Sequence, residues 1–449
     1  MTHDPGPASQ ENVSAPPATS TGLLTDHYEL TMLAGALRSG AAKRHAVFEV
    51  FARHLPHGRR YGVVAGTGRL LEALERFHFG PGELEFLHAA GVTDDATLKY
   101  LESFAFSGDV WGYAEGDCYF PGSPILVVEA PFAEAVVLET LALSVLNHDC
   151  AIASAASRMV TAAGGRPIIE MGSRRTHELA AVASARAAYI AGFAATSNLQ
   201  AGRDHGVPTR GTSAHAFTLV HDSERHAFAT QLAAQGKETT LLVDTFDVAR
   251  AVRTAVELAG PGLGAVRIDS GDLAVVAREV RTLLDELGAR ETRIVLTGDL
   301  DEHSIAALAA APVDGYGVGT ALVTGSGAPT AALVYKLVAR ALDDDGELRP
   351  VAKRSVGKPS RGGRKWAVRR RDEGGTALSE LVRGEPPGAS PTDRPLLHPL
   401  VQAGEIVGKE PLTTARERHQ HALAELPSYA LQLSRGYPAI PTVFDRDGE

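Results

Sequence analysis

Between residues 167 and 320 the chain alternates short apolar runs with amphipathic stretches, and this alternation constrains the fold more than any other feature. The apolar runs end in polar or glycine-rich turns and lie at residues 167–171, 188–194, 207–209, 240–243, 265–268, 293–296 and 313–315. Apolar residues at helical spacing follow at residues 177–188, 248–258, 273–287 and 302–310. Strands that alternate with helices predict a parallel sheet covered by helices. About seven such units favour an eight-fold α/β barrel, complete or incomplete, and a doubly wound open sheet is the alternative.

The chain on either side of this region has a different character. Residues 1–20 are rich in Pro, Ser, Thr and Ala, which predicts a disordered leader because there is little to bury. We predict that residues 151–334 form the barrel, and that residues 21–150 and 335–449 pack together into a smaller domain beside it. Further elements are predicted in these flanking parts: a helix at 26–37, a strand at 47–51, a long helix at 132–146, a loop at 386–395 and a helix near 413–426.

Composition excludes several classes of function. The formal net charge is −10, which argues against a partner that is a nucleic acid or an anionic membrane surface. No apolar run approaches the roughly 20 residues that a membrane helix needs. The chain has two cysteines, too few for a disulfide framework. We therefore expect a cytoplasmic protein.

The polar residues that follow the apolar runs are the main indication of function. In a barrel the carboxyl ends of the strands meet at one face, which carries the active site. The segments expected at that face are 170–175, 196–198, 211–215, 244–245, 267–272, 297–299 and 317–320. They bring together three arginines, several carboxylates, one histidine and two glycine-rich turns. Such a set is typical of a site for a ligand with phosphates and ribose hydroxyls.

Each of these segments also has a purely structural interpretation. Arg174 and Arg175 could be solvated at a helix start. Asp244 could cap the next helix, which is favoured over catalysis, and His215 could be a packed core histidine. Residues 317–320 could form a plain tight turn. Their convergence on one face favours function, because all the structural interpretations would have to hold together.

At these residues the chain resembles the nicotinate phosphoribosyltransferase family, from about residue 23 to at least residue 366. The motifs that carry the resemblance are, in order, LLTDHYELTMLAGAL, FARHLPHGRRYGVVAG, EMGSRRTHE, ATSNLQA, GTSAHAF, LLVDTFD, RIDSGDL, TGDLDE and GVGT. The resemblance implies a type II phosphoribosyltransferase fold, an irregular α/β barrel with a smaller domain built from the N- and C-terminal parts. It also implies a homodimer with shared active sites. The implied reaction converts nicotinate, phosphoribosyl diphosphate, ATP and water to nicotinate mononucleotide, pyrophosphate, ADP and phosphate, with Mg²⁺, as the first step of NAD salvage from nicotinate.

The resemblance also implies roles for individual residues. His215 matches the histidine that ATP phosphorylates, and the nicotinate site would include Thr212, Arg267 and, from the neighbouring subunit, Tyr28. The phosphoribosyl group would contact Arg174, Arg175, Asp269, Gly298, Gly319 and Thr320. Contacts to the diphosphate are expected from Arg53, Lys336, Lys353 and Lys358, with Lys365 nearby, although a solvated basic hairpin explains residues 353–371 almost as well.

Three alternatives stay open at this point. The base could be another pyridine, nicotinamide or quinolinate. The chain could be a catalytically inactive regulator that binds nucleotides on the same scaffold, which the intact histidine, arginine and GVGT motifs argue against. An unrelated barrel isomerase acting on sugar phosphates would explain the phosphate turn but not Tyr28 or the histidine motif.

Overall fold

The structure is a computed structural model that describes residues 19–343, 346–353 and 360–445. The first part of the chain forms α1 (His27–Ser39), β1 (His45–Ala52), β2 (Gly62–Val63), α2 (Thr67–Leu74), α3 (Pro81–Ala89), α4 (Asp95–Glu102), β3 (Asp109–Gly112), β4 (Cys118–Tyr119), β5 (Leu126–Pro131), α5 (Phe132–Val136) and α6 (Glu139–Ala163). Short 3-10 helices lie at Gly22–Leu24, Ala41–Lys43, Pro56–Gly58 and, near the end of the chain, Ser428–Leu431.

The middle and last parts of the chain contribute the remaining elements. The middle part forms β6 (Ile168–Glu170), α7 (Glu178–Ile190), β7 (Ala195–Thr196), α8 (Leu199–His205), α9 (His215–Leu219), α10 (Glu224–Gln235), β8 (Thr240–Leu242), α11 (Val248–Ala259), β9 (Ala265–Ile268), α12 (Leu273–Glu286), β10 (Arg293–Leu296), α13 (Glu302–Ala307), β11 (Gly315–Val318) and α14 (Thr320–Val323). The last part forms β12 (Leu333–Arg340), β13 (Arg349–Pro350), β14 (Trp366–Arg371), β15 (Ala377–Arg383), β16 (Asp393–Pro395), β17 (His398–Gln402), β18 (Glu405–Ile406), α15 (Leu412–Ala424) and β19 (Thr442–Phe444).

The middle part folds into the predicted parallel sheet. Its strand order is β7-β6-β11-β10-β9-β8, and every neighbouring pair is parallel. The last strand of the region, β11, pairs with the first, β6. This return bends the sheet into an incomplete barrel, which is open between β8 and the segment after β7, where Thr209 makes a single bridge to Thr196. The barrel prediction is confirmed in its incomplete form.

One further sheet combines the two ends of the chain. The antiparallel sheet has the order β13-β12-β1-β5-β3-β17-β18, so strands from beyond residue 332 pair directly with strands from before residue 132. Within the described residues a smaller sheet, β16-β14-β15-β19, and the pair β2-β4 complete the strands. The smaller region is therefore assembled from both ends of the chain, as predicted.

The long helix α6 connects the two halves. Its residues up to Ala151 pack in the core of the antiparallel sheet, whereas those from Ile152 onward pack in the core of the barrel. The change of core supports the division we propose between residues 150 and 151. Most of the predicted leader, residues 1–18, lies outside the described residues.

Several predicted boundaries are wrong, for identifiable reasons. Residues 188–194 were expected to form a strand, but α7 continues to Ile190, because an alanine-rich run has high helix propensity and apolar character alone does not separate the two states. Residues 207–209 form only the bridge at Thr209. The long helix predicted at 132–146 is broken into α5 and α6, and the latter runs on to Ala163.

The remaining predicted elements agree with the structure to within a few residues. The strands at 265–268 and 293–296 have the predicted bounds, while β11 lies further along than the predicted 313–315. The loop at 386–395 ends in the short strand β16. Of the helices in the part of the chain that is described, none combines the length and the apolar character that crossing a bilayer requires.

Candidate active site

A polar pocket of about 140 Å³ lies at the carboxyl ends of β6, β9, β10 and β11. The residues that line it are Met171, Arg174, Arg175, Arg267, Asp269, Thr297, Gly298, Asp299, Gly317, Gly319 and Thr320. All of the residues predicted to contact the phosphoribosyl group are among them, together with Arg267. The parallel sheet thus brings together side chains that are up to about 150 positions apart in the sequence, because its strands all end at the same face.

Arg267 is held rigidly at the base of this pocket. It is 9% exposed, and its guanidinium donates to Thr297 Oγ1 at 2.8 Å, Thr212 Oγ1 at 2.9 Å and Asp269 Oδ1 at 2.7 Å. Arg267 and Asp269 are two positions apart along the strand direction, so they share a face. The resulting pocket floor has a planar cation whose orientation is set by several neighbours.

The carboxylate of Asp269 is kept ionised by the same contacts. Burial raises its pKa, but hydrogen bonds from Thr297 and Arg267 outweigh burial and lower the pKa below its ordinary value. The backbone N–H of Asp269 also donates to Asp244 Oδ2 at 2.9 Å. The site therefore presents a fixed negative charge beside the fixed positive charge of Arg267.

Glycines allow the backbone to line the pocket closely. Gly298 has a φ of +114°, and a Cβ atom there would lie 2.5 Å from the carbonyl oxygen of Asp269. At Gly319 a Cβ atom would lie 3.1 Å from the carbonyl oxygen of Met171. Thr320 then begins α14, and the first N–H groups of a helix have no acceptor within the helix. Backbone N–H groups at this turn are thus placed beside the pocket.

Arg174 and Arg175 lie exposed at the mouth, in the turn after β6. This turn is anchored from below by Glu170, which is buried and accepts hydrogen bonds from the N–H of Gly172 and the hydroxyl of Thr196. Burial raises the pKa of Glu170. The two arginines therefore project from a well-anchored turn.

His215 lies next to this pocket, at the first position of α9. Its Nδ1 atom is 3.1 Å from Thr245 Oγ1, and its Nε2 atom is 3.8 Å from Asp244 Oδ1. The imidazole side chain is 40% exposed, whereas that of Asp244 is 2% exposed. Because Asp244 also contacts Asp269 and accepts from Ser270 Oγ at 2.6 Å, it connects the histidine to the pocket floor.

The structural interpretation favoured for Asp244 is wrong. The residue that caps α11 is Asp247, whose side chain accepts from the N–H of Arg250 at 2.7 Å. The signal for this was present in the sequence, since Asp247 directly precedes the first apolar residue of the helical pattern, as an N-cap does. Asp244 instead lies two residues after the end of β8, so it reaches the active-site face.

The other predicted site residues lie elsewhere. Tyr28, on α1, is 45% exposed, and burial together with the charge of Glu139 raises its pKa to about 12. Lys336 lies in the same cluster, with Nζ 3.7 Å from Glu139 Oε1. Neither residue lines the pocket, nor do Arg53, which follows β1, and the exposed Lys353. Lys358 lies outside the described residues.

Lys365 is occupied within the chain. Its ammonium contacts Glu49 at 2.9 and 3.0 Å and donates to the carbonyl oxygens of Arg361 and Gly363. An ammonium has three N–H donors. The side chain is thus engaged with these partners within the chain.

An incomplete α/β barrel with a cationic pocket at its carboxyl-end face defines a class of enzymes that act on phosphorylated small molecules. The sequence profile described as the nicotinate phosphoribosyltransferase (NAPRTase) N-terminal domain matches residues 23–147. The nicotinate phosphoribosyltransferase pncB1 of Mycobacterium tuberculosis (strain CDC 1551 / Oshkosh) is 59% identical over 98% of each chain. The chain belongs to the nicotinate phosphoribosyltransferase family.

Two solved structures share the fold over nearly the whole chain. The crystal structure of human nicotinic acid phosphoribosyltransferase has a TM-score of 0.81 at 25% identity, covering 94% of this chain and 98% of the human one. The crystal structure of nicotinate-nucleotide pyrophosphorylase from Pyrococcus furiosus has a TM-score of 0.75 at 25% identity, covering 95% and 99%. The barrel and the region built from both chain ends therefore recur together in these relatives.

Proposed function

We propose that this protein is an ATP-dependent nicotinate phosphoribosyltransferase that makes nicotinate mononucleotide from nicotinate and phosphoribosyl diphosphate. The observation that carries the proposal is the pocket at the barrel mouth, where Arg267, Asp269 and the glycine turns meet beside His215, in a chain of this family. The inactive-regulator alternative is disfavoured by the same intact arrangement.

The geometry fits the flat, anionic base. Nicotinate pairs well with a planar guanidinium, and Arg267 is already oriented by Thr212, Thr297 and Asp269. The ring nitrogen of nicotinate carries a lone pair, so its attack on the ribose needs no strong base. Thr212 accepts a hydrogen bond from Arg267 and would contact the base together with it.

The ribosyl transfer creates charges of opposite sign on the sugar and on the leaving group. The bond from ribose C1 to the diphosphate oxygen breaks as the bond to the pyridine nitrogen forms, so positive charge develops on the sugar and negative charge on pyrophosphate. The carboxylate of Asp269 would stabilise the former, and Arg174 and Arg175 the latter. The turns at Gly298, Gly319 and Thr320 would hold the sugar phosphate through backbone N–H groups.

The site also suits Mg²⁺ that arrives with the diphosphate. Asp269 and Asp299 line the pocket, and Asp244 Oδ1 is buried with no hydrogen-bond partner among the described residues. Mg²⁺ is usually held by one or two carboxylates together with substrate phosphates. When bound there, it would neutralise charge on the leaving pyrophosphate.

ATP would act through His215. If Nδ1 donates to Thr245 Oγ1, the lone pair of Nε2 is free to attack the γ-phosphorus of ATP. The Nε2–P bond forms as the bond from the γ-phosphorus to the β,γ-bridging oxygen breaks, and ADP leaves. The nearby Asp244 carboxylate stabilises the positive charge that develops on the ring. Water later hydrolyses the phosphohistidine, which would promote product release.

Assembly and location complete the proposal. Tyr28 and Lys336 lie together on the region built from both chain ends and away from the pocket of their own chain, which fits a homodimer in which they reach a neighbour's barrel. Both cysteines are buried free thiols, as expected of a protein that works in the reducing cytoplasm.

The decisive experiment measures turnover of labelled nicotinate with and without phosphoribosyl diphosphate, and with nicotinamide or quinolinate as competing bases. We expect nicotinate mononucleotide to form only with phosphoribosyl diphosphate, and the competitors to have little effect. Preferential use of either competing base, or no turnover by the folded protein, would contradict the proposal.

The ATP step is tested with His215→Ala. We expect loss of ATP hydrolysis and of acid-labile phosphate on the protein, together with slow synthesis at high substrate that no longer depends on ATP. A variant that still hydrolyses ATP in step with product formation would remove His215 from the mechanism.

A further inference from the structure

A second polar cavity, of about 290 Å³, lies outside the barrel mouth. It is bounded by the loop after β1, by α6, by the start of α13, by the turn after α14 and by the segment after the last 3-10 helix. Its lining residues are His57, Arg59, Arg158, Glu302, His303, Ser326, Leu433, Ser434 and Arg435. It shares no lining residue with the mouth pocket, so it is a separate site.

The charges buried around this cavity do not balance. Arg59 and Arg158 are 5% and 9% exposed, and the single carboxylate lining the cavity is that of Glu302, which is 4% exposed. Arg158 Nε donates to Glu302 Oε1 at 3.1 Å, and Ser326 Oγ donates to Oε2 at 2.7 Å. Both oxygens of the carboxylate are therefore engaged, and neither is bonded to Arg59.

The charge of Arg59 is therefore only partly compensated. Burial and the neighbouring charge of Arg158 lower its pKa by more than the charge of Glu302 raises it, which is the physical sign of a cation without sufficient counter-charge. A guanidinium has five N–H donors. Within the described part of the chain Arg59 uses one of them, from Nη2 to the carbonyl oxygen of Gly325 at 2.5 Å. Arg59 itself lines the cavity.

The cavity is held in shape by backbone contacts. The N–H of Gly436 donates to the carbonyl oxygen of Gly58 at 2.9 Å, and His57 Nε2 lies 3.1 Å from the carbonyl oxygen of Gly327. These contacts tie the three loops around Arg59 to one another. Arg435 and His303 are exposed at the rim, where they add further cationic or donor groups.

We propose that this cavity binds a phosphate group, with Arg59 as the buried anchor and Arg435 at the rim. Two guanidinium groups that line one pocket favour a tetrahedral oxyanion, to which they can donate several charge-assisted hydrogen bonds. The volume lies at the lower end of the roughly 300–1,000 Å³ typical of pockets for drug-sized ligands, so the cavity suits a small anion or the phosphoryl end of a larger one. This site is independent of which pyridine base the mouth accepts.

The test is binding of radiolabelled inorganic phosphate to the full-length protein by equilibrium dialysis. The protein carries Arg174→Gln and Arg175→Gln, which weaken anion binding at the mouth. We expect this protein to retain one saturable phosphate-binding site per chain. Adding Arg435→Gln should weaken it at least about tenfold. The matched control is Arg225→Gln, which removes the same charge from the exposed Arg225–Glu257 pair on α10 and should change the affinity less than about twofold.

Each outcome decides the proposal. No saturable phosphate in the mouth-defective protein, or equal effects of Arg435→Gln and Arg225→Gln, would overturn it. Arg59→Lys, which keeps the charge but loses the fork, should weaken binding as well, and circular dichroism would show that it folds. Competition by ADP would identify the phosphoryl end of a nucleotide as the ligand, and lack of competition would identify free phosphate.

Discussion

At the scale of single residues, the pocket depends on the hydrogen bonds that orient Arg267. Its three side-chain partners come from three different places in the chain, Thr212, Asp269 and Thr297. A guanidinium held in this way presents a planar fork in one orientation, which lowers the entropy lost when it binds a carboxylate. The arrangement predicts that geometry at this position matters as much as charge.

Replacing Arg267 by lysine tests that prediction. Arg267→Lys keeps the positive charge but loses the fork, so we expect nicotinate to bind about 10- to 100-fold more weakly while ATP binding changes little. Calorimetric titration of each ligand measures both affinities. Arg281→Lys, at a partly buried arginine of α12 that does not line the pocket, is the control. Equal weakening for the two ligands, or no weakening for either, would argue against a place for Arg267 in the base site.

At the scale of elements, the turn after β8 separates a functional carboxylate from a structural one. Asp244 lies two residues after the end of the strand and contacts Asp269 and Ser270. Asp247 lies three residues later and caps α11. The strand end and the helix start are close together in sequence, so the two aspartates belong to different elements with different roles.

Substitutions at these two aspartates should therefore change different properties of the protein. Asp247→Ala removes an N-cap and should lower the free energy of unfolding by about 1 kcal/mol without changing the ratio of ATP hydrolysed to product formed. Asp244→Asn removes the negative charge beside His215 and should reduce phosphohistidine formation. Urea unfolding and phosphate labelling measure the two effects. If Asp247→Ala abolished labelling and Asp244→Asn left it intact, the assignment would be reversed.

At the scale of the whole molecule, α15 is tied to the core by a buried histidine. His419 is 2% exposed, with Nδ1 at 2.9 Å from the carbonyl oxygen of Gly116 and Nε2 at 3.0 Å from Ser157 Oγ. Burial lowers its pKa to about 4. As the pH falls, His419 is therefore protonated near pH 6.5 in the unfolded chain but only near pH 4 in the folded chain.

This difference predicts how stability depends on pH. The contribution of His419 is fully present above pH 6.5 and is lost as the pH falls towards 4, by about 3 kcal/mol in total. In His419→Gln the free energy of unfolding should fall less over this range, because glutamine does not titrate. His88→Gln, at an exposed histidine of α3, is the control. Identical pH profiles for His419→Gln and the unsubstituted protein would contradict the prediction.

The assembly of the molecule provides a second test at this scale. If the site is shared between subunits, mixing Tyr28→Ala protein with His215→Ala protein should restore part of the ATP-coupled activity that each variant lacks on its own. Each hybrid dimer would then hold one site with both residues intact. Subunit exchange must be shown independently, for example by mass spectrometry of tagged chains. No recovery after demonstrated exchange would place Tyr28 outside the active site.

Local sequence determined those features whose physical cause is itself local. The strands at 265–268 and 293–296 followed from short, strongly apolar runs bounded by polar turns, and the helices at 248–259 and 273–286 from apolar periodicity. The strands' carboxyl ends could be predicted to meet at one face, because parallel strands point the same way. For this reason the amino-acid sequence by itself predicts that Arg174, Arg267, Asp269 and Thr320 share one pocket.

Tertiary structure alone decided the features that depend on contacts between distant segments. It determined that the Asp244 carboxylate lies 3.8 Å from His215 Nε2 and that Lys365 is paired with Glu49. The imbalance of charge around Arg59 is a further example, because its neighbours Arg158, Glu302 and Arg435 come from three remote parts of the chain. Hydrophobic periodicity indicates which face of a helix or strand is buried, but not which other segment packs against that face. Partner identity, and with it the charge state and role of a side chain, appears only when the segments pack.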